Sequence, residues 1–406
     1  MRLRTSRKLI AAHASHRSFN TNIGRPMCSI VSNKPNRLSY RIAVVAVLLS
    51  LGGCASRPTS AVLQPTAVAQ AEQADIDKVA LLSVTNRNRI KEYSGFGTQW
   101  AGELTYERYG FAVPRDRKGA TIAYPTERAG AKRTYMVTER EQLAQQAWLA
   151  DATRSARADG TVAVYVHGYN NLYQEALYRA AQMAADAKTL SPPIVFSWPS
   201  AASVTGYVTD RDAALYSRTD LEGVLTALAR APGIKRVVLF GHSMGGFLSM
   251  EATRQLKLQG RDDVIAKLQV VLAAPDIDVD VFRSQLRDIG HLKTPITVLA
   301  SKTDRALSMS SFIGGERARI GRLDINDPVV QEQARKANVN IVDISTADSS
   351  DGLGHDRFAA VARFGSDFEK AEALQHKSGN FRALVFDAAG AAVASPFRLV
   401  GHIGQQ

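Results

Sequence analysis

Cysteine is almost missing from this chain. Two stand among 406 residues, Cys28 and Cys54. Beyond residue 54 there is neither a disulfide nor a free thiol, so stability must come from a packed core, which a body of this length can build. There is no cysteine–histidine cluster and no H-E-x-x-H pattern, hence no sequence argument for a metal, and nothing calls for another cofactor. No apolar run reaches the roughly 18 residues of a membrane-spanning helix. Internal repeats are absent. Acidic residues are lacking from one stretch: residues 1–53 hold nine of the 51 Lys and Arg and none of the 38 Asp and Glu. The formal charge of +13 therefore belongs mostly to the N-terminus, and the rest of the chain stands at +4. The body shows no basic stripe interleaved with aromatics, which argues against a nucleic-acid partner.

The charge asymmetry has a specific source. Arg37 and Arg41 precede the apolar run Ile42–Leu51, and Gly52-Gly53-Cys54 follows. A basic segment, about ten apolar residues and then small residues make a secretory signal over residues 1–53. Met27 gives a more ordinary signal length, which makes residues 1–26 a candidate misassigned start. Leu51-Gly52-Gly53-Cys54 resembles the bacterial lipobox, whose cysteine is acylated and becomes the first mature residue. That resemblance implies a membrane partner through a lipid anchor on Cys54. Ala55, with no aspartate at that position, resembles the outer-membrane pattern, so the expected location is the cell envelope, facing the periplasm. Residues 54–75 are rich in Ala, Pro, Ser, Thr and Gln without periodicity and read as a flexible tether.

The chemistry is concentrated in Gly241-His242-Ser243-Met244-Gly245-Gly246. The apolar run Lys235–Phe240 before it reads as a buried parallel strand, and Phe247–Thr253 after it as helix. Strand, sharp turn and helix around G-x-S-x-G form a serine nucleophile elbow. A serine hydroxyl is a weak nucleophile and must project toward a base. Gly241 and Gly245 remove β-carbons that would collide where strand and helix pass closely. Oxyanion donors belong on the loop after an earlier strand. Thr161–Val166 is such a strand, and His167-Gly168-Tyr169-Asn170-Asn171 follows it, so the expected donors are the backbone N–H groups of Met244 and Tyr169.

An acid and a base should follow the serine in that order. Leu268–Ala274 ends in Pro275-Asp276, and Pro295–Ala300 leads to Asp304. Both aspartates lie at carboxyl ends of strands, where open α/β sheets bind ligands. Asp304, in a polar turn near the final strand, is the preferred acid. Asp276 is the alternative, with capping of a helix near Asp278 as its structural role. Of eight histidines, His355 is the expected base: it follows the strand Val339–Ile344 on the glycine-flanked loop Ser349–His355.

These residues together resemble the α/β-hydrolases, and within them a bacterial family of uncharacterised serine hydrolases. The resemblance rests on Val166-His167-Gly168-Tyr169-Asn170, Phe196-Ser197-Trp198-Pro199-Ser200, Asp210-Arg211-Asp212-Ala213, the elbow, Ala273-Ala274-Pro275-Asp276 and Ser301–Leu307. It covers roughly residues 80–360. It implies a triad of Ser243, Asp304 and His355, with Trp198-Pro199 walling the pocket.

The expected architecture is an α/β-hydrolase domain over residues 76–360: a mostly parallel sheet flanked by helices at Leu172–Lys188, Asp212–Ala231, Gly246–Leu258 and Asp280–Ile289. Only one helix fits between Asp276 and Pro295, so the cap is minimal. Residues 361–406 form an extension with a candidate hairpin at Phe381–Phe386 and Ala392–Phe397. The function expected is carboxylic-ester hydrolysis on a small-molecule or lipid ester. The same triad serves amide or peptide hydrolysis. A non-catalytic scaffold is the third reading, and the complete Ser, Asp, His order argues against it.

Overall fold

The computed structural model describes residues 57–117, 119–126, 130–189 and 191–361, and a strand at 398–400. The signal segment, Cys54 and the candidate hairpin at 381–397 lie outside the described residues.

Ten strands form one sheet. They are β1 (Ile76–Arg89), β2 (Phe96–Pro114), β3 (Met136–Leu143), β4 (Thr161–Val166), β5 (Ile194–Ser197), β6 (Arg236–His242), β7 (Leu268–Ala273), β8 (Ile296–Ala300), β9 (Val339–Asp343) and β10 (Arg398–Val400). Their order is β10-β9-β8-β7-β6-β4-β5-β1-β2-β3. Seven strands, from β9 across to β1, pair in parallel. β2, β3 and β10 add antiparallel pairings at the two edges. The order reverses between β6 and β4, and such a switch point opens a crevice at the carboxyl ends of the strands.

The parallel strands are buried on both faces, as helical crossovers require. Val162, Val164 and Val166 of β4 point into one core with Val237 and Leu239, whereas Tyr165 enters the other with Val195, Val271 and Leu299. That alternation follows the period of two. The first core is closed by α1 (Gln145–Arg154), α3 (Tyr207–Tyr216), α4 (Arg218–Arg230) and α5 (Met244–Leu258). The second is closed by α2 (Tyr173–Asp186), whose Tyr173, Ala176, Leu177, Ala180, Ala181 and Ala184 recur at helical spacing and are buried. Then come α6 (Asp262–Ile265), α7 (Val279–Ile289), α8 (Arg305–Ile313), α9 (Pro328–Lys336) and α10 (Phe358–Val361).

Two expectations need correction, and a third holds where it was placed. The single helix over 212–231 is two, starting earlier and breaking at Ser217. That residue is fully buried, and its hydroxyl donates to Ala213 O while accepting from Asn86 Nδ2 at 3.0 Å. One helix, α7, does separate β7 from β8, but a longer excursion with α8 and α9 comes one crossover later. The tether is the largest difference. Residues 58–75 lie against the domain: Leu63 is fully buried, Tyr178 Oη donates to Val62 O at 2.7 Å, and Thr66 N donates to Val137 O at 2.8 Å. The polar composition hid one well-placed anchor, Leu63, which belongs to the α2 core.

Candidate functional site

Ser243 occupies the turn between β6 and α5 with φ 53° and ψ −119°. A non-glycine residue rarely adopts positive φ, and it persists only where the surroundings over-determine it. Here they do. Ser243 N donates to Ala273 O at 2.9 Å, and Asp276 N donates to Ser243 O at 3.1 Å. Asn170 (φ 56°) and Ala274 (φ 43°) are strained in the same way, and all three lie just past carboxyl ends of strands.

Two glycines allow the loop after β4 to press on the elbow. A Cβ on Gly245 would stand 2.3 Å from His167 O, and one on Gly168 would stand 3.0 Å from Ser243 Cβ. The backbone of Gly168-Tyr169 therefore borders the serine. Met244 is the first residue of α5, where helix geometry leaves the N–H without an intrahelical acceptor.

Asp304 and His355 meet. His355 Nδ1 lies 2.7 Å from Asp304 Oδ2. Asp304 is fully buried and caps α8, its Oδ1 accepting from Leu307 N at 2.9 Å. The loop carrying His355 is gathered by Asp351, whose Oδ1 accepts from the N–H groups of Leu353, Gly354 and His355. Burial alone would lower the pKa of His355. The hydrogen bond and charge of Asp304, with Asp351 and Asp276 beyond, outweigh it and hold the imidazole above its ordinary value. His355 and the elbow are joined through His242, the neighbour of Ser243. Its Nε2 lies 3.3 Å from His355 O, and its ring lies 4.7 Å from the His355 ring. His242 itself is buried against Phe358, and burial keeps it neutral.

Asp276 sits beside Ser243 but is engaged elsewhere. Tyr207 Oη donates to its Oδ2 at 2.8 Å, Ser310 Oγ to its Oδ1 at 2.8 Å, and Arg319 Nε lies 3.1 Å from Oδ1. Its carboxylate ties α3 and α8 to the segment whose N–H bonds Ser243 O. The cap of α7 is Asp278, which accepts from Asp280 N and Val281 N, so the capping role considered for Asp276 falls to its neighbour.

A further layer escaped the motifs. Arg87, on β1, is buried behind the loop after β4. It donates to Asn171 O at 2.8 Å, to Ser200 O at 3.2 Å and to Ser197 Oγ at 3.1 Å. His167 Nδ1 donates to Gly168 O at 2.8 Å, and its Nε2 lies 3.1 Å from Ser197 Oγ and 3.2 Å from Trp198 O. Burial, with the positive charge of Arg87 second, lowers its pKa to about 3, so it is neutral at any ordinary pH. Trp198 stacks on His167 at 5.0 Å and donates to its carbonyl at 2.8 Å. It is fully buried, so it buttresses the loop from behind and is not an exposed pocket wall. Asp210, also fully buried, accepts from Asn170 N, Ser200 Oγ and Ala201 N. The Asp210-Arg211 pattern pointed to this region without saying why; its carboxylate ties the loops after β4 and β5 together.

A cleft of about 990 Å³ lies elsewhere, at the opposite ends of the strands, bordered by Thr161, Lys235, Arg236 and Lys267 and by Met183 and Ala184 of α2. It contains none of Ser243, Asp276, Asp304 and His355, although Phe358, which packs on His242, lines one part of it. Among the described residues no group of His, Cys, Asp and Glu is placed to hold a metal ion.

No curated protein matches the chain. Solved structures similar to it include the iron-lacking apo form of ESTFA, at 13% identity over 84% of this chain and 95% of that one, with a TM-score of 0.29. A putative hydrolase from Agrobacterium vitis S4 is 13% identical over 59% and 85%, with a TM-score of 0.27. A bacterial heroin esterase is 12% identical over 84% and 89%, with a TM-score of 0.27. Likenesses this distant say nothing of what the chain acts on. The family description is firmer: a model of an alpha/beta hydrolase of unknown function (DUF900) matches residues 141–368, more than half of the chain and all of the elements from α1 to α10. With its mostly parallel sheet, flanking helices and serine elbow, the chain belongs to that α/β-hydrolase family.

Proposed function

We propose that the chain is a serine hydrolase that cleaves carboxylic esters through an acyl-enzyme. The observation that carries the reading is the 2.7 Å contact of His355 Nδ1 with buried Asp304, on the side of the sheet where Ser243 is held in a strained elbow. With Nδ1 committed to Asp304, Nε2 carries the lone pair that a base needs. Ser243 Oγ adds to the ester carbonyl carbon as its proton passes to Nε2. The carbonyl oxygen, now negative, is held by the N–H groups of Met244 and Tyr169. Collapse breaks the bond to the alcohol oxygen, which takes the proton from Nε2. Water then repeats the sequence on the acyl-enzyme and releases the acid. Each oxyanion donor is worth about 3–4 kcal/mol in such a transition state.

The test is labelling with a fluorophosphonate. Modification of Ser243, lost in Ser243→Ala, supports the reading, and an intact protein that takes no label refutes it. Paired ester and amide substrates of the same acyl group then decide the bond cleaved.

The reading includes an address. Cys54 carries the lipid anchor, and the mature chain resides in the bacterial envelope, at the outer membrane facing the periplasm. The apolar run ending at Leu51-Gly52-Gly53-Cys54 supports it.

A further inference from the structure

The outer face of a solvated surface helix is ordinarily polar. That of α8 is not. Leu307 and Ser310 turn inward, while Met309, Phe312 and Ile313, spaced three and four apart, are 61%, 72% and 52% exposed. This helix starts at Asp304 and is tied through Ser310 to Asp276, whose N–H donates to Ser243 O. The same carboxylate holds Tyr207 of α3, and near it Val204 and Val208 are 77% and 69% exposed. The Val204 carbonyl accepts from Tyr169 Oη, on the loop that borders Ser243. Leu353, two residues before His355, is 47% exposed. Scattered exposed apolar residues need no explanation, but a set carried by the segments that lead to one site does.

The start of the described chain supplies the occupant. Gln174 Nε2, in the first turn of α2, donates to Pro58 O at 2.6 Å. The helix α2 follows directly on the 167–172 loop, so Pro58 sits at the same end of the sheet as Ser243. Only residues 55–57 separate it from Cys54. Four residue steps span at most about 14 Å. An acyl chain on Cys54 thus keeps this end of the domain at the bilayer and not on a long leash.

We propose that the apolar rim around Ser243 rests on the lipid bilayer and that the site takes its esters from the membrane, as acyl lipids. This rests on the ester-hydrolase and anchoring reading above. Apolar rim residues enter the headgroup and acyl boundary as interfacial segments do. An acyl ester then reaches Ser243 without crossing water.

The test uses the full, anchored chain in vesicles of phosphatidylethanolamine and phosphatidylglycerol with brominated acyl chains. Tryptophan emission is compared with that of the parent. Phe312→Trp and Met309→Trp should add emission quenched at least about twofold more than that of Leu258→Trp. Leu258 ends α5 at the opposite pole and is equally exposed. Equal quenching overturns the proposal, as does a mass spectrum showing no acyl group on Cys54. The same measurement on a Ser243→Ala background decides the surface even if no ester is cleaved, so the hydrolase reading and the docking surface fail separately. For the substrate half, Phe312→Ser should lower the rate on a vesicle-embedded ester relative to a dissolved short-chain ester by about tenfold. An unchanged ratio refutes it.

Discussion

Replacing Asp304 by Asn separates the two candidate acids. Asp304 is fully buried, with Oδ2 on His355 Nδ1 at 2.7 Å and Oδ1 on Leu307 N at 2.9 Å. The amide oxygen of Asn can keep the cap. Its NH₂ then faces Nδ1, which must accept, and the proton moves to Nε2, where the base is needed. A wrong tautomer of this kind lowers kcat by about 10³–10⁴, or roughly 4–5 kcal/mol of transition-state stabilisation. The pH profile shifts too. His355 is raised above its ordinary 6.5, and the base must be neutral, so activity should rise with pH through a midpoint above 6.5. Removing Asp304 removes the leading cause of the raised value, so the midpoint should fall. Stability moves the opposite way. The contribution of the His355–Asp304 pair is full below about 6.5 and is lost as pH climbs through the folded-state pKa. Asp276→Asn should behave differently. It leaves Arg319, 6% exposed, without its carboxylate and should cost about 3–5 kcal/mol of stability. Steady-state kinetics over pH 5–9, with thermal melts of both variants, checks this. If folded Asp276→Asn lost more kcat than folded Asp304→Asn, the acid assignment would be wrong.

Ser243→Ala and His355→Ala should each lower kcat by about 10⁴–10⁶ on a short-chain ester, with melting temperatures little changed. Gly245→Ala places a carbon 2.3 Å from His167 O and should destabilise by roughly 1–3 kcal/mol in urea unfolding; a neutral result would mean that the β4 loop is not pressed on the elbow. Glu107, buried with Arg140 at 3.0 Å and Tyr173 at 3.0 Å, should cost about 3–5 kcal/mol when changed to Ala. A chain starting at Asp75 should be less stable by about 2 kcal/mol or more than one starting at Pro58, because it loses buried Leu63 and strands the Tyr178 hydroxyl. Cys54→Ser should abolish palmitate incorporation and leave precursor or soluble protein.

The elbow was legible because its needs are local. A strained serine between a strand and a helix requires glycine at fixed offsets, and Gly241 and Gly245 stand there. That Asp304 and His355 could meet was legible because strand ends and glycine-rich loops announce themselves. Asp276 could not be resolved from its position alone; only its three partners, from α3, α8 and Arg319, show it to be engaged. Arg87 was invisible for a different reason. In sequence it is a basic residue near the end of a strand, and its burial depends on loops about a hundred residues away. Ser217, where the two helices meet, is buried against Asn86, again a distant partner. Residues 58–75 misled because composition averages over buried Leu63 and says nothing of the backbone groups of Pro58, Val62 and Thr66 that bond the domain.

Arg87 also bears on when the protein can become active. Its partners lie 84 and 113 residues along the chain, at Asn171 and Ser200. β1 reaches the sheet by pairing with β5, so the first described strand can be seated only after much of the domain has been made. Contacts of this span are slow to form, since the loop they close must be ordered before it is rewarded. The carbonyls behind the 167–171 loop therefore acquire their donor late in folding. A chain exported unfolded, as proposed above, would carry its serine through synthesis and translocation with the 167–171 loop not yet braced. Hydrolytic competence would then begin only at the destination.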